Sequence, residues 1–141
     1  MKFSLGTPEH GWVELTITDD IHRFEVIVSN VPNDFINDTM IALSQLLTYE
    51  NKRQVWLSLE PAYYLMSIAR QTDVFTITID KGVSASNVVY YQASGDFKEV
   101  ILPIYRSLKS FYNSRNEDLH WPAVNQMEFQ NMLEAVALYK G

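Results

Sequence analysis

From its eleventh residue the chain alternates. In "GWVELTIT" Val13, Leu15 and Ile17 take one phase and Trp12, Glu14, Thr16 and Thr18 the other, the period-two pattern of a strand buried on one face. "HRFEVIVS" repeats the pattern, with Phe24, Val26 and Val28 set against Arg23 and Glu25. The intervening "TDDI" supplies aspartates suited to a tight turn. The two segments therefore predict an antiparallel hairpin with Glu14 and Glu25 on its outer face and Asp19 and Asp20 at its tip.

Pro32 ends the second strand, and in "NDFINDTMIALSQLLTYE" the period changes, with Ile36, Met40, Leu43 and Leu47 at helical spacing and Thr39 and Leu46 beside them. Asn33 or Asp34 is the expected N-cap, where a side-chain oxygen accepts from free backbone donors and a carboxylate meets the positive helix end. Asp38, one turn on, is not needed for capping. It shares the polar side with Asn37, Ile41, Ser44, Gln45 and Thr48, among which Ile41 is the odd member. Four more strands follow, "QVWLSLE", "AYYLMSIAR", "VFTITID" and "NVVYYQAS", separated by Glu60-Pro61, Gln71-Thr72-Asp73 and "KGVSAS". Separators this short leave no room for crossover helices, so the neighbours are antiparallel.

The last third returns to helical spacing. Phe97, Val100, Ile101, Ile104, Tyr105, Leu108, Phe111 and Tyr112 share a broad face, and Asp96 with Glu99 matches a capping box. Pro103 inside this helix predicts a kink, since an interior proline removes a backbone hydrogen bond at a cost of about 3 kcal/mol. A final helix runs through "NQMEFQNMLEAVALYK", with Asn125 as cap, Glu128 three residues on, Met127, Phe129, Met132, Leu133 and Val136 on its apolar side and Gly141 at its close. The sum is one α+β domain over residues 1–141: a mainly antiparallel sheet of about six strands, one inserted helix and two C-terminal helices packed on one face.

Length and composition agree with a single core, at 141 residues and 47% hydrophobic. With no cysteine, disulfides, thiolate nucleophiles and cysteine-ligated zinc are excluded, and a reducing compartment suits the chain. "MKFSLGTPEHGW" lacks the apolar run of a signal peptide, and no stretch is long enough to span a bilayer. A cytoplasmic protein that does not engage membranes is expected. Charge changes the picture more. Residues 1–50 hold eight acids against Lys2 and Arg23, whereas the remainder balances nine against nine. The whole net charge of −6 thus lies on the first third, which disfavours nucleic acid as a ligand and suits a basic protein partner.

Catalytic chemistry finds no support. His10, His22 and His120 have no metal-ligand spacing, and the five glycines form no phosphate loop. No serine sits in a G-x-S-x-G elbow, and the pair Glu117-Asp118 lies in a polar loop suited to solvation. The expectation is a protein that is not an enzyme, with no catalytic residue, cofactor or metal. Tyr63, Tyr64, Tyr90 and Tyr91 are expected on adjacent strands, one of each pair facing each way. They support an alternative, a small-molecule or peptide-binding module with a tyrosine-lined pocket. Trp12, Trp56 and Trp121 are expected to pack, although Trp12 beside the acidic hairpin suits a binding anchor.

The order "GWVELTI", a second strand ending in "SNVPNDF", a helix through "LSQLL" and then "VWLSLEPAYYLMSIARQTDVFTITI" resembles small bacterial immunity-type proteins of polymorphic toxin and contact-dependent growth inhibition systems. The resemblance covers residues 11–80, with an echo in the terminal "WPAV" and its helix. It implies a non-catalytic cytosolic protein that binds and neutralises a cognate toxin, many such toxins being nucleases with basic surfaces. Charge placement then marks Trp12, Glu14, Asp19, Asp20, Glu25, Asp34 and Asp38 as the candidate contacts.

Overall fold

The computed structural model describes residues 1–81, 88–114 and 118–141. Most of the "KGVSAS" separator, Asn87 at the head of the last predicted strand and Glu117 of the carboxylate pair lie outside the described residues.

The alternating segments form β2 (Trp12–Thr18) and β3 (Arg23–Ser29), paired antiparallel with Leu15 opposite Val26. The later four are β4 (Lys52–Ser58), β5 (Tyr63–Gln71), β6 (Val74–Asp80) and β7 (Val89–Gly95), with Met66 opposite Val55 and Ile79. A seventh strand, β1 (Lys2–Leu5), pairs with β2 through Phe3 and Ile17. Four residues with one buried apolar side chain are too few to display a period, which is why about six strands were expected. The sheet order is β1-β2-β3-β4-β5-β6-β7, antiparallel at every junction.

One junction is unlike the rest. Ser29–Ser58 is the single pair in register between β3 and β4, so the sheet opens into two leaves, β1–β3 and β4–β7, joined at that corner. Both serines are buried, and each hydroxyl finds an acceptor, Ser29 donating to Glu60 Oε2 and Ser58 to the Val31 carbonyl. Without those acceptors two buried hydroxyls would be left unsatisfied. Away from that corner β3 still touches the second leaf, Phe24 meeting the edge of Tyr64 at 5.2 Å, and within that leaf Tyr64 meets Tyr90 at 5.1 Å.

Helix α1 (Phe35–Leu46) is inserted between the leaves, its N-cap Asp34 accepting from the amides of Ile36 and Asn37. The predicted second helix begins differently from expectation. Asp96 and Glu99 do form a reciprocal capping box, but Phe97–Ile101 is π-helical and leads into α2 (Leu102–Asn113), which carries Pro103 in its first turn. Pro103 thus lies inside one continuous helical run, where it has no N–H to donate, and the turn just before it is widened to π geometry, the Leu102 amide reaching back to the Phe97 carbonyl. Helix α3 (Gln126–Lys140) starts at Asn125, whose side chain accepts from the Glu128 amide, and ends at Gly141. Phe129, Met132 and Val136 of its predicted apolar side are buried, while Met127 is exposed.

The inward phases of both leaves and the helices share one core. Val13, Leu15, Ile17 and Val28 from the first leaf meet Leu57, Met66, Ile68 and Ile77 from the second, with Leu43, Ile104 and Met132 from the helices. Burying a side chain of this size contributes about 1.5 to 3 kcal/mol. All three helices pack on that inner side. Among the described residues no helix lies over the outer face of the sheet.

Candidate functional site

The outer face is built from the polar phases of the strands. Trp12, Ser29, Ser58 and Tyr63 lie in one cross-strand row, and Glu14 stands opposite Ile27 in the next. Trp12 is held by a two-residue turn, Glu9 and Trp12 exchanging backbone hydrogen bonds of 2.9 Å across His10 and Gly11. Both central residues have positive φ, 52° and 84°, the requirement of a tight hairpin whose twist matches its strands. The Gly11 amide donates to Asp118 Oδ2 at 2.8 Å, and Asn30 donates to the His120 carbonyl, so the loop before α3 clamps this end of the hairpin. Trp12, Glu14 and Ile27 line an open cavity of about 390 Å³ with Glu9 and His10.

The six candidate acids occupy three places. Glu14 and Glu25 share the outer face of the hairpin, and Glu25 is engaged by the Arg23 guanidinium, Nε to Oε1 being 2.6 Å. Asp19 and Asp20 lie at the tip. Asp34 and Asp38 start α1, at the opposite end of the strands; seven residues at strand rise put roughly 20 Å between the two ends. The structure brings Trp12 and Glu14 together and keeps the tip apart from the helix start.

Several of these carboxylates serve the fold. Asp19 Oδ1 accepts the amides of Ile21 and His22, each at 2.8 Å, and Oδ2 accepts the Tyr91 hydroxyl at 2.9 Å. The backbone donors, Ile21 first, hold its pKa below the ordinary carboxylate value, with Tyr91 adding to them. Asp34 is shifted the other way, because desolvation at the cap outweighs its two amide donors. Asp38 accepts from Asn33 Nδ2 at 3.0 Å, and Asn33 also donates to the Trp56 carbonyl. Glu14 and Asp20 are exposed, with no side-chain hydrogen bond or ion pair among the described residues.

Trp56 differs from the packing role expected of it. Its indole is 48% exposed and stacks flat on Tyr63, with ring centroids 4.4 Å apart and planes 3° apart. The signal was present in the alternation: Val55 and Leu57 hold the buried phase of β4, which places Trp56 with Gln54 in the other. Trp121 does pack, meeting Phe35 edge-on at 5.9 Å, and Trp12 is half-buried. The four tyrosines divide between roles. Tyr91 is buried, Tyr64 packs between Phe24 of the first leaf and Tyr90, and Tyr63 lies on the outer face; the two strands that carry them, β5 and β7, are separated by β6 and not adjacent as expected.

Among the described residues, no three histidine, aspartate or glutamate side chains gather where a metal ion would be held. His10 and His120 lie 6.4 Å apart by ring centroid, and Asp118 beside them has its pKa lowered chiefly by the Gly11 amide. Nor is any helix among the described residues long and apolar enough to cross a membrane.

No family model matches the chain, and no curated protein matches it in sequence. In fold it is similar to one chain of a CdiA-CT/CdiI toxin and immunity complex from Enterobacter cloacae, with a TM-score of 0.52 and 10% sequence identity. The likeness covers 77% of this chain and 99% of that one. The α+β architecture is thus one that occurs in a toxin and immunity complex, as the resemblance over residues 11–80 implied.

Proposed function

We propose that the chain is an immunity-type protein that binds a cognate toxin domain in the cytoplasm and neutralises it by occlusion, without catalysis. The observation that carries this reading is the fold likeness to a chain of a toxin and immunity complex, extending over nearly all of that chain. The uncovered sheet face adds to it. Trp12 and the Trp56–Tyr63 stack offer amphipathic aromatic surface of the kind that dominates binding energy at interfaces, and Glu14 and Asp20 are carboxylates with no partner among the described residues. A basic toxin surface, such as that of a nuclease, is the complement. Glu25, Asp34 and Asp38 extend the acidic field at its margins, while Asp19 contributes charge from a fixed turn.

The test is reconstitution with the toxin domain encoded beside this chain. We expect a complex on size-exclusion chromatography and loss of the toxin's activity on mixing. Reversing Glu14 and Asp20 to lysine together should slow association about tenfold at low salt, and less at high salt. Trp56→Ala should mainly speed dissociation. A toxin that stays active and elutes alone would remove the reading. A complex insensitive to all three changes would move the contact to another face.

A further inference from the structure

We infer that the groove between α1 and α3 is a second docking site, taking a segment of a protein partner that presents a lysine or arginine side chain beside an apolar one. The groove is in the helical layer, away from the outer sheet face, and does not depend on the toxin-binding reading. Its volume is about 390 Å³, and its walls include Ile41, Gln45 and Tyr49 from the α1 side and Glu128, Glu134 and Leu138 from α3.

Three features define the occupant. Among the described residues, the charged side chains that line the groove are Glu128 and Glu134, so an anionic segment is repelled and a cation attracted. Ser44, Gln45, Thr48 and Asn131 supply uncharged polar lining, whose oxygens can accept from an incoming N–H donor. The apolar wall accounts for the remainder. Ile41 is the one aliphatic residue on the polar side of α1, and Tyr49 and Leu138 are 70% and 79% exposed. A long aliphatic stem with a cationic head satisfies all of these together, as lysine and arginine side chains do. A neighbouring apolar side chain would cover Tyr49 and Leu138, which a free polyamine with methylenes alone would leave in water.

The experiment uses the full chain, labelled with nitrogen-15 and titrated with a short peptide alternating leucine and lysine. Its counterpart with glutamate for lysine, and spermidine, serve as separate arms. We expect saturable shifts at the amides of Ser44, Gln45, Thr48 and Asn131 with the lysine peptide. Glu128→Gln with Glu134→Gln should weaken binding about fivefold, since exposed charge pairs are individually modest. Leu138→Ser, at an exposed position, should weaken it further while the rest of the spectrum is unchanged. Shifts of equal size with the glutamate peptide, or none along the groove, would overturn the inference. Binding of spermidine as tightly as the peptide would assign the groove to a free polyamine and overturn the protein occupant.

Discussion

Tyr91 donates its hydroxyl to Asp19 Oδ2 across 2.9 Å, joining β7 to the turn of the β2–β3 hairpin 72 positions earlier. The two leaves of the sheet share one register pair at the Ser29–Ser58 corner, so this bond ties them at the far end. Desolvation, then the adjacent carboxylate, push the Tyr91 pKa well above the ordinary phenol value, and the hydroxyl remains a donor through neutral pH. Tyr91→Phe keeps the buried ring and deletes the donor. We expect the thermal midpoint to fall by about 2–6 °C and the amides of Asp19 to Arg23 to exchange faster with solvent. Unchanged exchange in the turn would show that the hairpin holds its place without the bond.

Acid should act through Asp19 and Asp118. Both carboxylates have lowered pKa values in the folded protein, Ile21 and Gly11 being the leading amide donors. The unfolded chain therefore takes up protons at higher pH than the folded one. The stability these groups contribute is complete above the ordinary value near 4 and is lost as pH falls through the lowered folded values. Urea midpoints should decline below about pH 4.5, and Asp118→Asn, which keeps an acceptor but no titration, should make that decline shallower.

Asp34 has the opposite sign. Its folded pKa is raised by burial, so the folded state favours the protonated form, and the charge is a cost once pH rises through the raised value. Asparagine caps a helix as well as aspartate does. Asp34→Asn should therefore be as stable as the parent at pH 7 or more so, whereas Asp34→Ala loses the bonds to Ile36 and Asn37 and costs about 1 kcal/mol. Equal losses in the two variants, by chemical denaturation, would mean that the charge itself matters.

Local chemistry made most of this architecture legible. Alternation gave six of the seven strands, and caps at Asp34, Asp96 and Asn125 marked all three helical starts. What escaped was non-local. The gap between β3 and β4 depends on how far two strands diverge after one pair, and nothing near Ser29 or Ser58 encodes that distance. The candidate site shows the same limit. Charge counting along residues 1–50 recorded eight acids, but a linear count is blind to the roughly 20 Å that strand rise puts between the hairpin ends and to the uses the fold makes of Asp19, Asp34 and Asp38. The Trp56–Tyr63 stack lay within reach, since strand phase alone predicts which side of the sheet an indole faces.

Gly11 should be the least replaceable residue of the hairpin's entry turn. Its φ is +84°, and an added Cβ would stand 3.3 Å from the His120 carbonyl oxygen, so alanine brings both backbone strain and a tight contact. Gly11→Ala should cost about 1–3 kcal/mol, and by displacing the Gly11 amide it should raise the Asp118 pKa toward the ordinary value. His10, also at positive φ, gives the internal comparison: His10→Gly relieves the left-handed strain and should hold or raise stability. Denaturation of both variants, with the Asp118 carboxyl titrated by NMR, separates the effects. A destabilised Gly11→Ala with an unmoved Asp118 titration would mean that the strain is absorbed in the turn and the clamp to the α3 loop is intact.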